Sequence, residues 1–549
     1  MSNRNIEIGL EYEDLVLRRP DPLVPREGKI DWNDQPSHFK LYTDVLRLPL
    51  APRMPVGRLR SLKQLMTEPM PEPSGQEPLS YEDISNLLLL TNGLLRRRLD
   101  VNWNPDASNK HRYAGATYAR PAASGGGRYP CELYLVAGER CGVRAGIYHY
   151  DSAHQALERL RPGDATAHIR AASFDHPAAQ SSDCFILVSI NFWKNHFKYH
   201  NFSYHVVTQD LGAMLGTLHQ TAKGMGIHST VLHWFRDEML NRTLGLETPT
   251  ESVFAVVALG HGATAVDDNH AERRPHGAYS LSDSPLPGYR TYQRSRRPFR
   301  LPLVEQTHQS TLVTEEPRPA SSDISRARCA ALASTGESIR LAAPNLELLN
   351  KGLQQVLLDR QSSSGRMLSH RPLEQEQLST LLRSVVYGED YNSDVKASEA
   401  TDGCTRLALM VNHVRDVPSG VYDYDASGNA LRAVRQGEFF TELQQKYSLQ
   451  NYNLEQPAAV IAVIGSFARS LAVFGNRGIR ILNAQAGVVA QQIYLATASL
   501  GLGCGAILGF KNIEVNQLYG LADSDQTALL LLLVGAERSI QGDFDYSLL

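Results

Sequence analysis

The 549-residue chain has little cysteine, and its six cysteines do not cluster: positions 131, 141, 184, 329, 404 and 504 form neither a CxxC pair nor a Cys/His ligand spacing. A disulfide framework and a structural zinc site are therefore excluded as organising principles, no metal is expected, and a reducing cytoplasm is the expected compartment. Long apolar runs are missing too. The longest, Ala528–Ala536, is about half the ~20 residues a membrane helix needs and reads as a buried strand. No positively charged start leads into an apolar stretch, so no secretory signal is expected. Charge of one sign is not in excess either. A net charge of −3 gives no global basic field, and neither nucleic acid nor a membrane is an expected partner.

What is present is a repeat. Gly212, Gly226, Asn241, Gly245 and Gly260 recur as Gly487, Gly501, Asn516, Gly520 and Gly535, each pair 275 residues apart. The apolar stretches CFILVSI (184–190) and VIAVIGS (460–466) fit nearly the same offset, and GIYHYD (146–151) has a near-copy in GVYDYD (420–425). Self-similarity at this length means two related domains, read here as α+β.

Periodicity and breakers give the order within each unit. In the first, the pattern predicts a helix over Tyr81–Arg97, strands at Glu132–Ala137, Gly146–Tyr150, Cys184–Asn191 and Val253–Leu259, and helices over Tyr204–Lys223 and Arg236–Leu244. The second unit begins with helices expected at Asn345–Leu358 and Glu374–Val385. Residues 1–60 read as an irregular Pro-rich segment that wraps or recognises, 61–284 as the first domain, 285–323 as a Pro/Arg/Ser-rich linker, and 324–549 as the second domain.

One stretch carries chemistry. SGGG at 124–127 is no Walker loop, because no GK[ST] follows, and no dinucleotide fingerprint, because it precedes a strand. Its bare backbone N–H groups suit a flat or anionic ligand. Around it, Arg120-Pro-x-x-Ser124-Gly-Gly-x-x-Tyr129-Pro130, then ELYLV and GIYHYD, then KYHNFSYHVVTQDLG at 198–212, resemble the SagB-type dehydrogenases of the nitroreductase superfamily. The pattern covers most of 80–265, and a diverged form covers about 345–540. The resemblance implies an FMN-binding α+β fold, normally a homodimer with flavin in the subunit interface. Here a fused tandem would form that dimer within one chain, with further pairing of chains left open.

The halves differ in what they keep. RQSSSGRMLSH (360–370) is similar to the family's phosphate-holding Arg-x-Ser segment, with Arg360, Arg366, Ser362 and Ser364 as the donors such a group needs. GLGCGAILGF (501–510) matches the family's small-residue turn, where Gly509 would admit the isoalloxazine ring. The first half lacks the arginine segment and has Trp234 at the position of Gly509, which should fill a flavin's space. The second half lacks the glycine loop. The resemblance therefore implies one composite FMN site, built from Arg360, Ser362, Ser364, Arg366 and Gly509 of one half with Ser124, Gly125 and Gly126 of the other, Arg120 bracing the loop or contacting flavin.

Lys198-Tyr199 matches the dipeptide linked with catalysis in azoline dehydrogenases, and Val473-Phe474 stands in its place in the second half. Such a reaction, azoline to azole in a peptide or peptide-like substrate with dioxygen as reoxidant, removes a hydride and a proton from adjacent ring carbons. Either residue of the pair can be the base, since a lysine must first be desolvated or set near another cation. Two alternatives stand beside this reading: an FMN-dependent reductase or dehydrogenase of another conjugated molecule, and a flavin-free scaffold among biosynthetic enzymes.

Overall fold

Strand residues whose neighbours alternate between two apolar environments build two sheets with both faces covered. In the first half Leu133 and Leu135 point into one core, while Tyr134 and Val136 point into another. In the second half Leu407 and Leu409 join that same first core, and Ala408 and Met410 enter a third. The inner faces of both sheets thus share a single core, and each outer face has its own. This follows from the period of two in an extended chain.

The structure is a computed structural model that describes residues 3–19, 30–51, 59–70, 78–99, 117–260, 289–363, 365–396, 403–449, 451–538 and 544–548. Each sheet has seven strands, all pairings antiparallel. The first runs Leu46–Pro49, Ala156–Pro162, Gly146–Asp151, Cys131–Ala137, Cys184–Asn191, Glu251–Gly260, His228–Leu232. The second repeats that order with Ser338–Arg340, Ala430–Gln436, Gly420–Asp425, Arg406–Val411, Ala459–Gly465, Thr527–Gly535 and Gly503–Ile507. Among the described residues no helix is long and apolar enough to cross a membrane.

Between the sheets lie two long buried helices, Ser203–Gly224 and Gly478–Leu500. They meet at the repeated glycines. A Cβ on Gly212 would lie 1.8 Å from the Ala484 carbonyl oxygen, and one on Gly487 would lie 2.0 Å from that of Gln209. The helices are in backbone contact, which no other residue permits. The repeated asparagines do equivalent work in each half: Asn241 accepts from Val253 N–H at 2.9 Å and donates to Ser252 Oγ, while Asn516 accepts from Ala528 N–H at 2.9 Å and donates to Thr527 Oγ1.

One repeated cluster is inverted in charge. In the first sheet His149 sits between two carboxylates, Glu158 at 2.9 Å and Glu132 at 3.3 Å. At the matching register positions of the second sheet, Asp423 sits between Arg406 and Arg432. Both ring nitrogens of His149 lie against carboxylate oxygens, an arrangement that favours the doubly protonated ring. Burial opposes that charge, but the hydrogen bonds to Glu132 and Glu158 override it and hold the imidazolium above its ordinary range.

Several expectations from the sequence need correction. The helix expected over Tyr81–Arg97 ends at Asn92, and Arg96–Leu99 is a strand between Thr117–Ala119 and the C-terminal Phe544–Ser547. The helix expected at Asn345–Leu358 is a 3-10 turn, Leu346–Leu349, followed by a helix at Leu353–Asp359. The segment 285–323, read as a linker, carries a helix at Pro302–Ser310, and the segment 1–60, read as irregular, carries one at Glu7–Leu17. That N-terminal helix docks on the second half, where Gly9 N–H donates to Asn476 Oδ1 at 3.0 Å.

Two outcomes are expected. Gly212→Ala should lower stability by about 1–3 kcal/mol, because the neighbouring backbone must move. Gly216→Ala, whose added carbon would find ordinary 3.5 Å contacts, should be neutral or slightly stabilising in the same urea titration. For His149 the raised value means that its contribution is complete below the ordinary histidine range and is lost as pH rises through the folded-state value. The thermal midpoint should therefore fall as pH rises above about 6.5, and His149→Gln should flatten that slope.

Candidate functional site

The glycine loop is held from three directions. Asp210, on the central helix of its own half, accepts from Gly125 N–H and Ser124 Oγ, both at 2.7 Å. Ser124 Oγ in turn accepts from Tyr129 N–H at 2.8 Å. From the other half, Gln491 accepts from Ala123 N–H at 3.0 Å and donates to the Pro121 carbonyl at 3.1 Å. Gly126 has φ +61°, a left-handed conformation natural to glycine, and Tyr129 is forced to φ +50°. Beneath it, Lys194 donates to the Tyr129 carbonyl at 3.2 Å and pairs with Glu132 of the His149 cluster.

Above this loop lies a cavity of about 410 Å³, within the range of small-molecule sites. It is walled by Arg120, Ser124, Gly126 and Gly127 of the first half and by Arg360 and Ser362 of the second. With Arg96 it has three arginines and no carboxylate among its described lining residues. Its remaining wall includes His38 and Phe39, from a part of the sequence with no recognisable motif.

The candidate residues fall into three groups. Arg120, Ser124, Gly126, Arg360 and Ser362 line the cavity, with Gly125 beside it in the loop. Arg120 is buried, donates to Asn92 Oδ1 at 2.9 Å and to the His38 carbonyl at 3.2 Å, and stacks on Tyr129. It braces the loop and lines the cavity at once. Arg360 is also buried, donates to the Arg120 carbonyl at 3.1 Å, and keeps an Nε–H without a partner among the described residues. Ser362 Oγ shares a 3.0 Å hydrogen bond with Tyr494 Oη.

Lys198 and Tyr199 end a short helix beside the loop. A Cβ on Gly126 would lie 2.6 Å from both Lys198 Nζ and Tyr199 Oη, so the glycine is what lets both groups converge there. Lys198 Nζ is 5.2 Å from the Tyr199 ring centre. Arg366 and Gly509 are not among the described residues that line the cavity. The Arg366 carbonyl accepts from Arg538 N–H beyond the Gly365 turn, and Gly509 packs on Leu449. Ser364 lies outside the described residues.

Sequence reasoning passed over Asp210. Burial pushes its carboxyl up to about 7, against the Gly125 N–H and Ser124 hydroxyl that pull it down. The signal was available: in TQDLG it stands two positions before the repeated glycine, and Gln485 occupies the same place in the second half, accepting from Cys404 N–H at 2.9 Å.

A related crevice lies on the opposite side of the pair, a cavity of about 520 Å³ whose walls include Trp234, Val473, Phe474 and Arg318. Its tryptophan is held by the protein's own groups. Trp234 donates its indole N–H to the Glu316 carbonyl and its backbone N–H to Asp394, both at 2.9 Å.

Two sheets of one topology, joined through their long helices beside a loop-and-arginine cavity, define a tandem α+β protein with a cavity shared between its related halves. The chain belongs to the nitroreductase family of oxidoreductases, whose description, Nitroreductase family, matches residues 77–261 and 357–536. It is 29% identical over 203 residues to the nitroreductase-like protein MJ1384 of Methanocaldococcus jannaschii, covering 36% of this chain and 98% of that one. It is 28% identical over 149 residues to the trifolitoxin-processing protein TfxB of Rhizobium leguminosarum bv. trifolii, covering 26% of this chain and 40% of that one. A crystal structure of a nitroreductase-like protein from Anabaena variabilis shares the fold over 97% of this chain and 99% of its own, at TM-score 0.71 and 23% identity.

The Asp210 clamp has a measurable consequence. Above about pH 7 the carboxylate accepts both hydrogen bonds; below it, protonation removes an acceptor. Protection of the Gly125 amide from hydrogen exchange should therefore drop as pH falls from 8 to 6, and Asp210→Ala should show the low protection at every pH.

Proposed function

We propose that the composite cavity holds FMN and that the protein is an FMN-dependent dehydrogenase of a heterocycle in a peptide or peptide-like substrate, taking azoline to azole with dioxygen as final electron acceptor. The observation that carries this is the cavity shared between the halves, lined among the described residues by three arginines and no carboxylate. Such a set suits a phosphate-bearing ligand. The glycines leave room for a flat group, and the Arg360 Nε–H is a donor without a partner among the described residues. Arg360 and Ser362 would hold the phosphate, and Ser124 to Gly127 would lie along the ring system.

Bound FMN supplies a two-electron acceptor for hydride. The protein's own residues supply the rest. Lys198 Nζ and Tyr199 Oη converge over Gly126, where one of them takes the proton from the ring carbon adjacent to the one that loses hydride. The two groups are close enough to act as one acid–base unit. The substrate class is supported by likeness to a toxin-processing protein and by the Lys-Tyr dipeptide. One complete site per chain is supported by Trp234 and Val473-Phe474 on the opposite side. Substrate-processing enzymes are the natural partners.

The purified protein should carry one FMN per chain by mass spectrometry and absorbance; two, or none, would overturn the reading. With a thiazoline peptide it should consume dioxygen. At least one of Lys198→Ala and Tyr199→Phe should keep its flavin and lose about 10²–10⁴ in rate. Full activity in both would overturn the assignment.

A further inference from the structure

Two residues of the cavity wall come from outside the part of the chain that the family description matches. That match begins at residue 77, whereas His38 and Phe39 stand well ahead of it. They reach the cavity because the chain around them is anchored by buried charge. Lys40 donates to Glu251 Oε2 at 2.7 Å and to Tyr134 Oη at 2.6 Å, both on the first sheet. Tyr42 N–H donates to Glu158 Oε1 at 3.2 Å. On the other flank Arg128 donates to Gln35 Oε1 at 3.3 Å. Between these anchors the His38 carbonyl accepts from Arg120 and from Lys194, both at 3.2 Å. A buried ion pair adds little net stability over apolar packing, but this one admits a single register. A slip of one residue would part the Lys40 ammonium from its carboxylate.

The residues so placed are rings without charge. Phe39 meets Tyr118, another residue of the cavity wall, edge to face with ring centres 6.0 Å apart. The Phe39 ring centre lies 5.2 Å from the Arg120 guanidinium. Burial, helped by Arg128, Lys194, Arg120 and Arg294, lowers the His38 pKa to about 4. Its imidazole is therefore neutral at pH 7 and offers one donor and one acceptor. The cavity thus joins two kinds of wall: the guanidinium groups of Arg96, Arg120 and Arg360, and the neutral rings of His38, Phe39 and Tyr118. A group common to a family is held by what its members share. A wall brought in from outside the shared region suits what distinguishes members, the substrate.

We propose that His38, Phe39 and Tyr118 form the specificity-determining wall of the composite site, packing an uncharged planar five-membered ring of the substrate and hydrogen-bonding its ring nitrogen through the His38 imidazole. The inference rests on the proposed function and names the residues that select its substrate. The aromatic edges supply contact area for the ring, and the imidazole N–H distinguishes a ring with an acceptor nitrogen from one without.

Thiazole-4-carboxamide, an uncharged five-membered ring with that nitrogen in place, is the probe, titrated by calorimetry into the full-length protein as purified. It should bind the wild type, and bind about tenfold more weakly to Phe39→Ala and to His38→Ala. Phe39→Tyr, which keeps the ring, should restore the affinity. The variants should retain wild-type circular dichroism and flavin content, and in turnover of a thiazoline peptide the loss should fall on KM rather than on kcat. Folded variants that bind the probe as the wild type does would overturn the proposal. Variants that lose flavin together with probe affinity would overturn it too, because the wall would then belong to the cofactor. A wild type without affinity for the probe is a third refutation. Protein that holds no flavin yet binds the probe through His38 and Phe39 would overturn the flavin reading and leave this one standing.

Discussion

Everything in this molecule hangs on the place where two helices touch without side chains. Gly212 and Gly487 let the backbones of Ser203–Gly224 and Gly478–Leu500 meet so closely that each glycine lies against the other helix's carbonyls. The inner faces of both sheets consequently share one core, in which Leu211 and Leu215 pack with Ala484 and Val488. The same approach brings Gln491 of one half within hydrogen-bond reach of the glycine loop of the other, and sets Arg360 on the Arg120 carbonyl. A wider separation would cost the core its contacts and would also pull the two walls of the cavity apart. Packing and site geometry are one constraint.

The scaffold is symmetric, but its electrostatics are not. The central position of one sheet is a histidine between carboxylates, and that of the other is a carboxylate between guanidinium groups. Both arrangements satisfy a buried polar cluster, so either would serve stability alone. Only the first continues toward the cavity. Glu132 passes its charge to Lys194, whose ammonium holds the Tyr129 carbonyl at the end of the glycine loop and the His38 carbonyl at the cavity wall. In the second half the residue corresponding to Lys194 is Arg469, which pairs instead with Asp525 near the surface. The loop is thus anchored from below in the half that has one to anchor.

What could be read from the chain was whatever is fixed locally. The repeat was legible because Gly212, Asn241 and their partners answer the same steric and hydrogen-bonding demands in both halves. The strands were legible because alternate residues face two different apolar layers. Arg96–Leu99 was not, because nothing in RRRL separates it from the preceding helix; its extended state comes from pairing with Phe544–Ser547 at the far end of the chain. Glu7–Leu17 escaped because its buried face is narrow, only Gly9, Tyr12 and Val16. Pro302–Ser310 was taken for linker because proline there reads as a breaker, although proline in the first turn costs a helix nothing. At the site, Ser124 to Gly126, Arg120, Arg360 and Ser362 were visible as motifs. His38, Phe39 and Gln491 were not, since they act through position alone.

The two crevices show how a duplicated fold divides its labour. On one side the protein answers its own polar groups: Asp237 neutralises Arg477 and Arg480, Asp394 accepts from Trp234, and Arg318 donates to the Asp394 carbonyl. On the other side Arg120 and Arg360 line an open cavity, and Arg360 keeps an N–H without a partner among the described residues. Unneutralised buried cations work against folding. A protein built only of such features would be poorly stable, whereas here the open side is packed through the two long helices against a side where Asp237 pairs with Arg477 and Arg480. Unpaired polar groups on one side are sustainable because the core shared by both sheets does not depend on them.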